Sequence, residues 1–209
     1  MSKQISKAVI ARLPRYYRYL TELKDEGTER ISSGALSERM HVTASQIRQD
    51  LNHFGEFGQQ GYGYNVPYLL DQIGEILDLN HMHHMIIIGS GRLGQALAHY
   101  RNFEKRGFKV IGMFDTDPDI CGTEAFGIRI RSMEELSDFV KEHTVDVAAL
   151  TIPVEYAQET AAKIVEYGIG AIWNFSHAEL IVPEDVQVED VHLSDSLMRL
   201  SYLMKNRGQ

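Results

Sequence analysis

The run Gly89-Ser90-Gly91-Arg92-Leu93-Gly94 spaces three glycines as a backbone does when it must meet phosphate. It follows the apolar run Met85-Ile86-Ile87-Ile88 and opens a helical pattern, so it reads as strand, turn and helix. Each glycine then has a distinct use. Gly89 permits the tight turn, Gly91 leaves the backbone open to a pyrophosphate, and Gly94 lets the helix lie close on the strand. The helix start adds unpaired N–H groups and a partial positive charge. Arg92 and Leu93 complete the loop; position alone leaves open whether Arg92 meets adenine or phosphate. A second apolar run, Val110 to Phe114, ends at Asp115, about 20 residues beyond the loop. An acid there accepts hydrogen bonds from ribose hydroxyls and repels a 2′-phosphate, which selects NADH and NAD+ as the cofactors over their phosphorylated forms.

A second candidate site lies near the N-terminus. Ser33 is a plausible N-cap for a helix ending at Met40. After a short turn, Thr43-Ala44-Ser45-Gln46 matches a capping box and starts a helix predicted to run to about Phe54. Ile47, Leu51 and Phe54 share one side of it, whereas Ser45, Gln46, Arg48, Gln49 and Asn52 fall largely on the other. Two helices in this order place the second in a DNA major groove. Arg48 matches guanine there, and Gln46 or Gln49 matches adenine. The glycine-rich stretch Gly58 to Tyr64, which carries Gln59 and Gln60, predicts a hairpin wing.

The elements that position these groups follow from periodicity. Apolar residues from Ile5 to Leu23 recur at helical spacing, with a break or restart at Pro14. A further helix is predicted from about Pro67 to Leu79. Beyond residue 85, strand-like runs at 85–88, 109–115, 145–152, 170–175 and 186–191 are interleaved with helical patterns at 92–101, 133–142 and 155–167. That alternation predicts a parallel sheet with helices on both faces. A last amphipathic helix, Leu193 to Met204, has no later strand to pack beneath and is expected to serve a partner subunit. The expected architecture is α/β: a winged helix-turn-helix over residues 1–80, a Rossmann-type domain over 81–192 and a dimerisation helix over 193–209.

The 209-residue chain carries a net charge of −8, unevenly spread. Residues 1–65 hold nine basic and seven acidic residues, and residues 66–209 hold twelve and twenty-two. Residues 1–20 contain Arg12, Arg15 and Arg18 with no acid, so a local basic face suits phosphate despite the overall charge. No apolar run is long enough to span a bilayer, the first residues lack the apolar centre of a signal peptide, and there is a single cysteine. These features predict a cytoplasmic protein with no membrane contact. Cys121 has no histidine at catalytic spacing and reads as an oxidation target, not a nucleophile. His81, His83 and His84 read as a domain junction, with no metal and no catalytic residue expected. After the dinucleotide unit there is no room for a substrate domain, which argues against an enzyme. An oxidoreductase with an accessory domain and a CoA- or nucleotide-binding regulatory subunit remain the alternatives, with Asp115 as discriminator.

Taken in order, these segments resemble the Rex family of redox-sensing transcriptional repressors over essentially the whole chain. The matching stretches are Arg12-Leu13-Pro14-Arg15-Tyr16-Tyr17-Arg18, Ser45 to Leu51, Phe54 to Gly58, Gly61 to Tyr64, the Gly89–Gly94 loop, Phe114-Asp115, Leu150-Thr151-Ile152-Pro153 and Trp173-Asn174-Phe175. The resemblance implies a homodimer with an exchanged C-terminal helix, and a repressor that NADH releases from operator DNA. It implies DNA contacts at Arg12, Arg15, Ser45, Gln46 and Arg48 and around Gln59 and Gln60. For the nucleotide it adds Thr151 and Asn174 to the glycine loop and Asp115. Arg18 and Tyr100 are implied in the interdomain switch. Three features depart from the family pattern: Gln49 and the Gln59-Gln60 wing where basic residues are common, and His192 where an aspartate is common. Fewer cations predict fewer phosphate contacts. A histidine at 192 predicts a switch that uses other contacts or responds to pH.

Overall fold

The computed structural model describes residues 6–52, 58–59 and 62–206, with the backbone alone at 58–59. It divides into two compact units, Met1–His81 and Met82–Gln209.

In the first unit, helices α1 (Lys7–Ile10) and α2 (Leu13–Asp25) are separate, because Pro14 sits in the first turn of α2 where no N–H is missed. Helix α3 (Ser33–Met40) is capped by Ser32, whose Oγ accepts from the Ala35 N–H at 3.0 Å; the cap lies one residue before the predicted Ser33. His41 ends α3 in the left-handed region at φ 51°, turning the chain sharply into α4 (Ala44–Asn52). Phe54, predicted to end α4, lies outside the described residues. Helix α5 (Val66–Ile76) starts from Asn65, whose side chain accepts from the Tyr68 N–H. The helical stripes meet in one core of Leu13, Tyr16, Leu20, Leu36, Met40, Ile47, Leu51, Leu69 and Ile73.

A small antiparallel sheet completes the unit in the order β1 (Arg30–Ile31), β3 (Gly63–Asn65), β2 (Gly58–Gln59). The wing thus has a third strand, β1, beyond the hairpin expected at Gly58 to Tyr64. Ile31 pairs with Tyr64. At Gly63, φ is +69° and a Cβ would stand 2.6 Å from the Ile31 carbonyl oxygen, so backbone conformation and space both demand glycine.

The second unit is a seven-stranded sheet in the order β10 (Gln187–Asp190), β9 (Ala171–Asn174), β8 (Val147–Leu150), β4 (His83–Ile88), β5 (Phe108–Asp115), β7 (Ile128–Ser132), β6 (Glu124–Ala125). All neighbours are parallel except β6 and β7, a hairpin lying outside the strand-like runs expected from sequence. Strand order reverses between β4 and β8, the point where an open parallel sheet leaves a crevice beyond its carboxyl ends.

Right-handed crossovers decide which face each helix covers. Helices α7 (Leu136–Glu142) and α8 (Val154–Glu166) pack with Ile86, Ile88 and Phe114 on one face. Helix α6 (Arg92–His99) packs with Met85, Ile87 and Met113 on the other. The predicted helix from 133 begins as a 3-10 turn, Met133–Glu135, under a capping box from Ser132. Helix α9 (Leu193–Lys205) has no buried residue, and Leu193, Leu197, Leu200 and Met204 are each at least half exposed.

Substituting Gly63→Ala should destabilise the N-terminal unit by about 1–3 kcal/mol through strain at this turn. Loss of amide protection at Ile31 and Tyr64 reads this out; unchanged protection would contradict the clash.

Candidate functional site

The glycine loop leaves β4 and enters α6 with little freedom. At Gly89, φ is +95° and a Cβ would stand 2.6 Å from the Thr151 carbonyl oxygen. At Gly94 a Cβ would overlap the Gly89 carbonyl oxygen at 2.0 Å and meet Thr151 Oγ1 at 2.9 Å. Both glycines are therefore required by the protein's own packing. Gly91 differs. It is the N-cap of α6 at φ −68°, and a Cβ there would meet nothing within 4 Å. The fold does not need a glycine at 91, but a ligand approaching the backbone does.

The loop is held from three sides. Thr151, just past β8, donates its hydroxyl hydrogen bond to the Gly89 carbonyl oxygen at 2.7 Å. Gln95 Nε2 donates to the Ser90 carbonyl oxygen at 2.9 Å. Asp115 accepts from the Ser90 N–H at 2.5 Å through Oδ2, and from the Thr116 and Asp117 N–H groups at 2.7 and 3.0 Å through Oδ1. Ser90 is buried, whereas Arg92 and Leu93 are exposed at the helix start.

These residues open onto a cleft of about 580 Å³ lined by Gly89, Gly91, Asp115, Met133, Thr151 and Ile152, and by Tyr156, Glu159, Thr160 and Lys163 on α8. The α8 residues were not singled out from sequence. Their spacing of three, four and seven is a helix stripe, and its position directly after Pro153 was the available signal. A cleft with helix N–H groups, a bare backbone at Gly91 and a carboxylate at its rim suits a phosphate-bearing nucleotide.

Asn174 is buried, and its amide is fully engaged. Nδ2 donates to the Ala178 carbonyl oxygen at 2.8 Å and to Asp190 Oδ1 at 2.7 Å; Oδ1 accepts from the Ser176 N–H and hydroxyl at 3.0 and 2.6 Å. This residue knits the loop after β9 to the end of β10. Tyr100 caps α6, is exposed, and packs edge-on against Phe103 with ring centroids 4.8 Å apart. His192 caps α9, with Nδ1 2.9 Å from His177 Nδ1 and the two rings stacked at 16°. The Cys121 thiol is pushed up by burial and by the negative charges of Asp115, Asp117 and Glu135, which opposes the thiolate that oxidation needs. No group of three or more metal-ligating side chains occurs among the described residues.

In the first unit, Ser45, Arg48 and Gln49 are exposed on α4, and Gln46 is half-buried. Arg48 Nη1 donates to Ser33 Oγ at 3.1 Å. Arg15 donates to the Met40 carbonyl oxygen, and Arg18 lies over the Tyr19 ring at 5.5 Å. Gln59 contributes backbone to β2; Gln60 lies outside the described residues.

The capping box forms only in half. The Gln46 N–H donates to Thr43 Oγ1 at 3.1 Å, but the Gln46 side chain turns to Asp50. Asp50, which sequence reasoning missed, is fully buried and accepts four hydrogen bonds. Oδ1 takes Arg12 Nη2 at 2.6 Å and Gln46 Nε2 at 2.8 Å; Oδ2 takes Arg12 Nε at 2.7 Å and the Tyr16 hydroxyl at 3.0 Å. Burial alone raises the carboxyl pKa, but the hydrogen bonds from Arg12, Gln46 and Tyr16 outweigh it and hold the group below its usual range. The Tyr16 hydroxyl is pushed up by burial and by its bond to Asp50, and the Arg12 guanidinium is raised by the same carboxylate.

Comparison with known proteins now adds the family. Residues 4–52 match a family described as "Putative DNA-binding protein N-terminus", and residues 80–178 match a "CoA binding domain". The "Redox-sensing transcriptional repressor Rex" of Clostridium perfringens is 50% identical over 204 residues, covering 98% of this chain and 96% of that protein. The chain belongs to the Rex family. Among solved structures, RSP, a Rex-family repressor, in complex with beta-NAD+ and operator DNA is 51% identical with a TM-score of 0.92, covering 98% of this chain and 94% of that one. RSP in complex with beta-NADH gives 48% identity, a TM-score of 0.91 and coverage of 98% and 96%. Among the described residues, no helix is long and apolar enough to cross a membrane.

Two outcomes test this geometry. Gly94→Ala forces a Cβ into the Gly89 carbonyl and should cost at least about 1–3 kcal/mol, read as a lower unfolding midpoint. Asp50 has a lowered pKa, so its stabilisation is present above the ordinary aspartate value of about 3.9 and is lost as pH falls through the folded value. Amide protection factors in α2 and α4 should hold from neutral pH down to about 5 and fall below about 3.9; flat protection to pH 2 would remove Asp50 from this role.

Proposed function

We propose that this chain is a DNA-binding transcriptional repressor that senses the NADH/NAD+ ratio, and that NADH binding releases it from its operator. The carrying observation is Gly91, a glycine that the fold does not require, at a helix start beside a carboxylate and a cleft. The names and bound molecules of the close relatives support the same reading.

In this reading the pyrophosphate sits on the N–H groups of the loop from Gly89 to Gly94, with Ser90, Arg92 and Leu93 around it. Asp115 takes the adenosine ribose; three N–H groups leave one of its acceptor sites for a hydroxyl. Thr151 and Asn174 position the neighbouring loops through the hydrogen bonds described above. The Asp115 carboxylate favours the unphosphorylated adenosine ribose of NADH over the phosphorylated ribose of CoA, although the family model over 80–178 is described by CoA. The chain is read as a sensor and not an enzyme, since its relatives are named repressors.

DNA is read by the outer side of α4, through Ser45, Gln46, Arg48 and Gln49. Arg12 and Arg15 meet phosphate, and the wing at Gln59 and Gln60 lies along the groove. Two copies are needed. A thirteen-residue helix with an exposed apolar stripe is not stable alone in water. The α6 face of the sheet leaves Val147 and Trp173 only partly covered. Exchange of α9 between two copies answers both, and Arg18, Tyr100 and His192 are assigned to the switch.

A mobility-shift titration tests the central claim: NADH should release the operator complex and NAD+ should not, and an intact complex at saturating NADH would overturn it. Gly91→Ala should leave the unfolding midpoint unchanged yet weaken NADH binding by at least about tenfold, or about 1.4 kcal/mol. Normal NADH affinity in that variant would remove the nucleotide from the loop. Arg48→Ala should cost about 1–3 kcal/mol on operator with relaxed specificity, whereas Arg15→Ala should weaken operator and random duplex alike.

A further inference from the structure

Asp50 is the only fully buried carboxylate in the described core of either unit, and it lies within the helix proposed to read DNA. An ionised carboxylate accepts and cannot donate, and it offers about four acceptor sites. All four are used: two by Arg12, one by Gln46 and one by Tyr16. The consequence falls on Gln46. A free glutamine presents its amide either way round, and so matches donors and acceptors alike. Beside an acceptor-only carboxylate at 2.8 Å, the inner end must be Nε2. Turning the amide over would set Oε1 against Oδ1, two lone-pair atoms in a buried site. The carbonyl Oε1 is thereby left at the outer end, on the same side of α4 as exposed Ser45 and Gln49.

We infer that Asp50 is a positioning residue for base recognition: it locks the Gln46 amide so that Oε1 faces the groove and accepts from an exocyclic amino group, adenine N6 or cytosine N4. The same carboxylate holds the Nε–Nη2 edge of Arg12 and leaves its other edge for phosphate, so one buried charge sets a base contact and a backbone contact together. This rests on the reading of α4 as the DNA-facing helix.

The test uses the full-length protein. Duplexes selected from a randomised pool supply the operator. Each adenine is then replaced singly by purine, which lacks the 6-amino group, and each cytosine by 2-pyrimidinone, which lacks the 4-amino group. The wild type should lose about tenfold at one base pair in each half-site, within the discrimination that one good base contact supplies. Gln46→Ala should abolish that ratio. Asp50→Ala should abolish it too, although Gln46 is still present. Because the ratio compares two duplexes on one protein sample, it is independent of the fraction folded, so a purely structural role for Asp50 would leave it unchanged. Should Asp50→Ala not fold at all, Asp50→Asn takes its place: its amide can donate as well as accept, so the Gln46 amide is free to turn over and the ratio should fall below threefold. The inference is overturned if no single amino deletion weakens the wild type by more than threefold, or if the ratio survives in either variant. Failure to select any duplex would overturn the DNA reading itself, and this inference with it; selection without amino sensitivity overturns the inference alone.

Discussion

The approach of α6 to the end of β4 is the constraint on which the second unit depends. A hydrogen atom at Gly94 stands where any side chain would enter the Gly89 carbonyl, and Thr151 closes the same space from β8. Because the strand order reverses between β4 and β8, this contact lies at the mouth of the crevice. Close packing there aims the start of α6 into the cleft and keeps Gly91 open. Asp115 adds an electrostatic tie, since its carboxylate binds the Ser90 N–H and the turn after β5 together. The glycine loop is thus preorganised by close backbone packing and by the side chains of Thr151, Gln95 and Asp115 that bind it.

The first unit uses a different device for the same end. A buried charge does what the glycines do elsewhere. Removing Arg12 would strand the Asp50 charge in the core, at a cost of about 3–5 kcal/mol. Arg12, Tyr16 and Gln46 are thus held to one arrangement across α2 and α4. Part of the network's strength derives from being dry, since the Asp50 side chain is 1% exposed while Arg12 keeps 34% in water. The guanidinium is therefore anchored at one edge and solvated at the other.

What was legible in the sequence follows from which interactions are local. Helical stripes in α2, α5, α8 and α9 and the glycine loop are written within a few residues, and all were read from spacing. Asp50 was not, because a polar residue on a helix is assigned outward by default. Its position three residues after Ile47 and beside Leu51 puts it on the inner side, and its partner Arg12 stands 38 residues away. Gln46 was misassigned in its capping role for the same reason: a charged acceptor one turn on outcompetes the N-cap N–H. Strand β1 has two residues, too few to show a period. Strand β7 does alternate, Ile128-Arg129-Ile130-Arg131, but it follows a turn-rich stretch with Phe126 and Gly127 at φ 53° and 81°. The α8 side of the cleft was hidden because Tyr156, Glu159 and Lys163 also read as a solvated helix face.

Connectivity explains the surface that remains. Crossovers from β7 to β8 and from β8 to β9 both move in one direction along the sheet, so α7 and α8 share a face and α6 alone guards the other. Trp173 leans on Phe103 and Phe175 there, and stays only half-buried. Helix α9 carries the apolar stripe such a face calls for, yet it departs from β10 with no contact on its own unit that buries it. Its start is nonetheless fixed. Asn174 binds Asp190, the Val191 N–H returns to the Asn174 carbonyl at 2.8 Å, and His192 stacks on His177 from the same loop. Two Nδ1 atoms 2.9 Å apart require opposite tautomers, one donating and one accepting. The loop at the carboxyl end of β9 and the first turn of α9 are therefore one mechanical piece.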